Sequence, residues 1–266
     1  MALFKLFKKS AKKTGSHKAV SHVKPKPKPK KAVKKSKPTV KPFIKPKAPV
    51  KAVKIEFNKM PDEKAYELLK RYRIAMPEYA FCKSEDDIKV SLKKIGLPCA
   101  MKVSGKSIIH KTNVNGIRLN IKSEEEAIKD FRELIKIRGA EKVLIQKMIT
   151  EGYEIIVGGK KDPQFNRVVA LGAGGILTEF IKDVSFRVAP LSRMDAEDML
   201  KEVKFSDLIL KGFRGQKPAD ANSIIDVILS VSKIMESNPE IKELDINPLF
   251  ATPEAAIAAD VRIILE

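Results

Sequence analysis

Glu243-Leu244-Asp245-Ile246-Asn247-Pro248-Leu249, with Asp260 inside the last apolar run, is the stretch on which the reading of this chain turns. Leu244–Phe250 reads as a strand, so Asp245 and Asn247, two residues apart, share one of its faces. Ala256–Leu265 reads as the next strand, and antiparallel pairing with the first would set Asp260 beside them. Amide and carboxylate oxygens grouped in this way are hard ligands suited to Mg²⁺ beside a phosphate chain. A polar strand end leading into a turn explains the same residues with no ligand at all.

Upstream, Gly172-Ala173-Gly174-Gly175 follows a strand ending at Leu171 and precedes Glu179 and Arg187. Glycines at a strand end let backbone N–H groups approach an anion, although glycine-rich turns between strands are common. Further upstream stand Met101-Lys102-Val103, His110-Lys111-Thr112 and Gly116. Lys102 lies inside an otherwise apolar strand, where it either meets an anionic partner or reaches solvent from a sheet edge. His110 beside a lysine and a threonine suits a phosphate as well as a structural role. Gly105-Lys106-Ser107 imitates the end of a phosphate-binding loop, but Ala100 occupies the place of that motif's first glycine, which excludes it.

Periodicity supplies the scaffold. Ala65, Leu68, Leu69 and Tyr72 mark an amphipathic helix entered through Pro61, Asp62 and Glu63. Ser84 caps a second helix carrying Ile88, Leu92 and Ile95, which Gly96 ends. Ser123 and Glu126 form a capping box for a third, with Ala127, Phe131 and Leu134 inward. Strands are expected at Leu97–Val103, Ile117–Ile121, Val143–Ile149, Tyr153–Gly158 and Val168–Leu171, and a long helix at Ser223–Met235. Helices and strands mix without strict alternation, which points to an α+β fold in lobes rather than a doubly wound sheet.

Charge is unevenly distributed. Met1 to Lys54 holds 19 lysines and no arginine or acidic residue, so of the formal net charge of +20 only +1 belongs to everything after it. Its repeated Lys-Pro pairs favour extended, mutually repelling backbone, so residues 1–54 are expected to be a disordered basic tail. Such a tail either solubilises, neutralises nucleic-acid phosphates, or lays Leu3, Phe4, Leu6 and Phe7 on an anionic membrane surface. Cys82 and Cys99 are too few for a disulfide framework and fit core thiols in a reducing compartment. No apolar run reaches the ~20 residues needed to span a bilayer, and a cytoplasmic location is expected.

Taken in order, several segments resemble the ATP-grasp subunit of ADP-forming acetyl-CoA (acyl-CoA) synthetases across about Asn58 to Leu265. They are Ile109-His110-Lys111-Thr112, Asp162-Pro163-Gln164-Phe165, Gly174-Gly175-Ile176, the run from Asp183 to Leu191, and Glu243–Leu249. The last also resembles the β-subunit of succinyl-CoA synthetase, which makes that enzyme one alternative; a non-catalytic ATP-grasp protein whose basic tail binds nucleic acid or membrane is the other. The resemblance implies an ATP-grasp fold, with residues 55–145 as a first lobe and 146–266 as a second, clasping ATP or ADP. It implies Lys102 on the phosphates, Gln146, Lys147 and Met148 at the hinge against adenine, and Glu154 near the ribose. Gly174 and Gly175, with Arg187, would hold phosphate, and Asn247 and Asp260 would bind Mg²⁺. His110 would take a phosphoryl group from a phosphohistidine on a CoA-binding α-subunit and deliver it to ADP.

The reaction implied is acyl-CoA + ADP + phosphate ⇌ acid + CoA + ATP, a ligase activity needing the separate α-subunit. Imidazole suits the relay because its neutral form is nucleophilic near pH 7. Three positions depart from the family pattern. Lys147 stands where glutamate is more frequent, and Asn115 and Asn166 replace frequent glycines, a change that asparagine's tolerance of left-handed backbone makes survivable.

Overall fold

Local signals start the helices where the sequence places them. Ser84 accepts a hydrogen bond from Asp87 N while Asp87 answers Ser84 N, closing a capping box at α2 (Glu85–Ile95), which Gly96 ends at φ 74°. Ser123 caps α3 (Glu124–Leu134) by accepting from Glu126 N. The expected reciprocal bond differs by one residue, since Glu126 Oε2 accepts from Lys122 N. Asn115 and Asn166 adopt φ of 51° and 62°, the left-handed backbone expected of them.

The computed structural model describes residues 58–175, 183–213 and 215–266; the basic segment 1–54 and Glu179 lie outside them. Among the described residues no helix is long and apolar enough to cross a membrane. A four-stranded antiparallel sheet runs β2 (Tyr79–Cys82), β5 (Lys142–Lys147), β3 (Cys99–Ser104), β4 (Ile117–Ile121). The larger, seven-stranded sheet runs β1 (Asn58–Lys59), β11 (Val261–Leu265), β9 (Ile241–Ala251), β6 (Tyr153–Asp162), β7 (Asn166–Ala173), β8 (Val184–Val188), with β10 (Ala256–Ala258) also on β9. The expected strand Ala256–Leu265 is therefore two, broken at Ala259 and Asp260.

Each sheet has its own core. Ile88, Leu92, Ala127, Phe131 and Leu134 of α2 and α3 bury against Met101, Val103, Val143 and Ile145 of the smaller sheet. On the larger sheet lie α4 (Arg193–Glu202), α5 (Ser206–Lys211) and α6 (Ala221–Ser237), whose Ile224, Ile228, Val231 and Met235 meet Val157, Val169 and Leu244. Gly159 lets α6 approach β6 this closely, because a Cβ there would sit 2.3 Å from Met235 Cγ.

The first expected lobe divides differently. α1 (Asp62–Arg71) buries Ala65, Leu68 and Leu69 in the larger core, and β1 pairs with β11. From residue 58 the described chain thus starts on the large sheet, crosses to the small one, and returns through residues 148–152 between β5 and β6.

Candidate functional site

A cavity of about 680 Å³ lies between the two sheets, within the size range of ligand pockets. Lys102, Gln146, Lys147 and Met148 reach it from the small sheet, His110 from the β3–β4 connection, and Glu154, Asn247 and Asp260 from the large sheet. The pairing of β9 with β11 sets Val261 against Ile246 and Arg262 against Asp245, and Asn247 N donates to Asp260 O at 3.1 Å. Asp245, Asn247 and Asp260 consequently share a face, the arrangement anticipated from the alternation, and Arg262 lies on it with them.

Burial governs the charges at one end. Lys102 is 5 % exposed, and its Nζ donates to Ala259 O at 2.8 Å across the gap between sheets. Burial pulls its ammonium down to about 8, with Asp260 resisting and Lys111 assisting. Lys111 Nζ pairs with Asp260 at 2.7 Å and lies 3.9 Å from Asp62. Burial would lower Lys111, yet the two aspartates raise it above its ordinary value. Burial would likewise raise Asp260, but Lys111 and Lys102 hold it below the usual carboxylate range. Asp62, 2.8 Å from Lys59 Nζ, also accepts from Ser104 Oγ at 2.6 Å, tying β1 and α1 to β3.

At the other end His110 meets Arg262. Nη1 of Arg262 is 3.3 Å from Nε2 and 3.5 Å from Nδ1 of the ring, and Nη2 donates to Glu243 at 2.7 Å and Asp245 at 3.3 Å. Burial raises the Asp245 carboxyl, while Arg262 opposes. Arg262, Asp62 and Lys59 were missed in the sequence, although an arginine between Val261 and Ile263 carries the same signal that singled out Lys102.

Three expected contacts fall outside the cavity lining. Gly174 N donates to Glu154 O at 2.9 Å, and a Cβ on Gly174 would sit 2.7 Å from that carbonyl, so this glycine is required by the close strand crossing. Gly175 stands over the Glu154 carboxylate, where a Cβ would lie 3.0 Å from Oε2. Arg187 is drawn away, because Glu202 of α4 takes both of its terminal nitrogens. For a metal, the donor set fits Mg²⁺: one ionised carboxylate and one amide, with no group of three or more acidic, histidine or cysteine ligands among the described residues. Mg²⁺ commonly takes one or two carboxylates and completes its shell with phosphates and water.

A protein-family model described as an ATP-grasp domain matches residues 51–265. The chain belongs to the ATP-grasp family. This ATP-grasp chain is 40 % identical over 223 residues to acetate–CoA ligase (ADP-forming) I subunit beta of Pyrococcus furiosus, covering 81 % of the chain and 96 % of that subunit. It is 41 % identical to acetate–CoA ligase (ADP-forming) II of Archaeoglobus fulgidus over 74 % of the chain but only 29 % of that longer protein. Among solved structures it resembles Ca. Korarchaeum cryptofilum dinucleotide-forming acetyl-coenzyme A synthetase 1, in complex with coenzyme A and Mg-AMPPCP, with a phosphohistidine segment pointing towards the nucleotide binding site. That similarity has a TM-score of 0.68 and 38 % identity over 79 % of this chain and 93 % of that one.

Proposed function

We propose that this chain is the nucleotide-binding subunit of an ADP-forming acyl-CoA synthetase, carrying a phosphoryl group between a phosphohistidine on a CoA-binding partner and ADP. The observation that carries the reading is one cavity lined by Lys102, His110, Asn247 and Asp260, groups of the kinds that phosphoryl transfer needs. The relatives support it: one is a β-subunit that the chain covers almost entirely, and another is a longer protein that it covers by less than a third.

In this reading Lys102 neutralises phosphate, Gln146 and Met148 flank the base, and Glu154 meets the ribose. Lys102 reaches across from the small sheet and Asp260 sits on the large one, so a bound phosphate chain would bridge both sheets. Bound Mg²⁺ supplies charge neutralisation beside Asn247 and Asp260. A ring nitrogen of neutral His110 forms an N–P bond as the partner's N–P bond breaks. One proton leaves the other nitrogen of His110 and one returns to the departing imidazole. A β-phosphate oxygen of ADP then forms the O–P bond as the His110 N–P bond breaks, and the ring regains its proton.

His110→Ala tests the reading. Mg-ADP affinity by calorimetry should stay within about threefold, because the cation-rich end is untouched. Phosphoryl transfer, followed as acid-labile ³²P on the chain after incubation with Mg-[γ-³²P]ATP, should fall by about a thousandfold or more. Equal labelling of the variant and the parent would end the relay assignment.

A further inference from the structure

Arg262 lies in an apolar strand with its side chain only 9 % exposed. A guanidinium keeps its charge in proteins, so it is tolerated there only where anions hold it. Glu243 and Asp245 both accept from one terminal nitrogen, Nη2, which leaves Nη1 turned to the His110 ring. Nη1 is nearly equidistant from the two ring nitrogens, at 3.3 and 3.5 Å, so it lies along the outward lone-pair direction of neither. It therefore holds the ring without capping the position where a phosphoryl group would bond. Nε is buried with no hydrogen-bond partner, so the protein supplies fewer acceptors than this guanidinium has donors.

We infer that Arg262 is a catalytic residue of the His110 step, its guanidinium anchored by Glu243 and Asp245 and facing the phosphoryl group while His110 carries it. This rests on the reading of His110 as the relay. A phosphoryl group brought to that ring is strongly anionic, and the strand face beside it presents two carboxylates. Arg262 stands between them and the ring, where Nη1 is the cationic donor that phosphoryl oxygens would accept from. Its planar, permanently charged fork suits phosphate oxygens better than an ammonium does.

Removing Arg262 alone would take the countercharge from two part-buried carboxylates, so the deciding variant is R262Q/E243Q, which exchanges an ion pair for an amide pair. The full-length chain is incubated with Mg-[γ-³²P]ATP, and alkali-stable, acid-labile label is followed in time beside calorimetry with Mg-ADP. R262Q/E243Q should bind Mg-ADP within about threefold of the parent while acquiring label about 100-fold more slowly, the effect of removing one donor to a developing charge. R262K, which keeps the charge without the fork, should label about tenfold more slowly. Parental labelling in R262Q/E243Q overturns the role of Arg262 and leaves the relay standing. If that variant loses nucleotide affinity, R262K decides, and parental labelling there overturns the role equally. Absence of label from the parent, or equal label in H110A, overturns the relay and Arg262's part with it.

Discussion

The two ends of the cavity meet on one strand face, at Asp260 and Arg262, yet their charge balances are opposite. Around Asp260 three buried lysines, Lys59, Lys102 and Lys111, face two aspartates, Asp62 and Asp260. Around Arg262 a single guanidinium faces two carboxylates, Glu243 and Asp245. Burial depresses Lys102 and Lys59 at the first end and raises Asp245 at the second, so each end strains the charge it holds in excess. An end with surplus desolvated cations is completed by an anion from outside, whereas a guanidinium fixed by two carboxylates is already held in place. In the proposed reading the first end receives the nucleotide's phosphates, and the second holds His110 and faces the phosphoryl group that it carries.

Lys102→Met breaks the first end. It removes a charge-assisted contact to phosphate, and Mg-ADP affinity should fall by about 2 kcal/mol, roughly 30-fold, in calorimetry. Thermal unfolding of the ligand-free chain should show no loss of stability, since the variant also removes a desolvated ammonium. Unchanged affinity would mean that the cation surplus does not serve the nucleotide.

How far this division is legible in the sequence depends on where each charge's partner lies. Lys102 stands out because the residues on either side of it, Met101 and Val103, are apolar, and Asp245, Asn247 and Asp260 because alternation and pairing put them on one face. Asp62 reads as an ordinary acidic residue at a helix start, yet it is 4 % exposed and tied to Ser104 and Lys59. The contact that buries it lies 42 residues away, beyond any local pattern. β1, two residues long, has no periodicity to read, so nothing local ties it or α1 to the large sheet on which they pack. Gly174 shows a different limit: the letters suit an anion, while the backbone of Glu154 already requires a glycine.

The depressed Lys102 makes stability depend on pH. Its folded value of about 8 lies below the 10.5 of an exposed lysine. Between those values the unfolded chain keeps the proton and the folded chain has released it, so unfolding free energy rises with pH in that window. At the limit the gain is about 3 kcal/mol. Denaturant unfolding between pH 8 and 9.5 should show stability rising in the parent relative to Lys102→Met, because the buried Cys99 and Cys82 thiols, pushed up by burial, and the depressed Lys59 act equally in both. Parallel curves would remove the desolvated charge from the account. Phosphate binding should restore the proton, so Mg-ADP titrations near pH 8.5 should take up protons from the buffer in the parent and fewer in the variant.

Lys147 belongs to neither end, and the smallest effect is expected there. It lines the cavity but is exposed, and its backbone N–H already donates to Glu78 O at 2.8 Å. The main chain thus fixes this part of the β5–β6 crossing whatever side chain it carries. An exposed charge on a rim is screened and costs little to hold, typically below about 1 kcal/mol. Lys147→Glu, which installs the residue more frequent in the resembling family, should change Mg-ADP affinity by no more than about fivefold. A loss well beyond that would show that a solvated ammonium at the hinge works alongside the buried ones. The contrast between the two ends would then no longer account for nucleotide binding, because the receiving charge would extend past Lys102 to the opposite wall of the cavity.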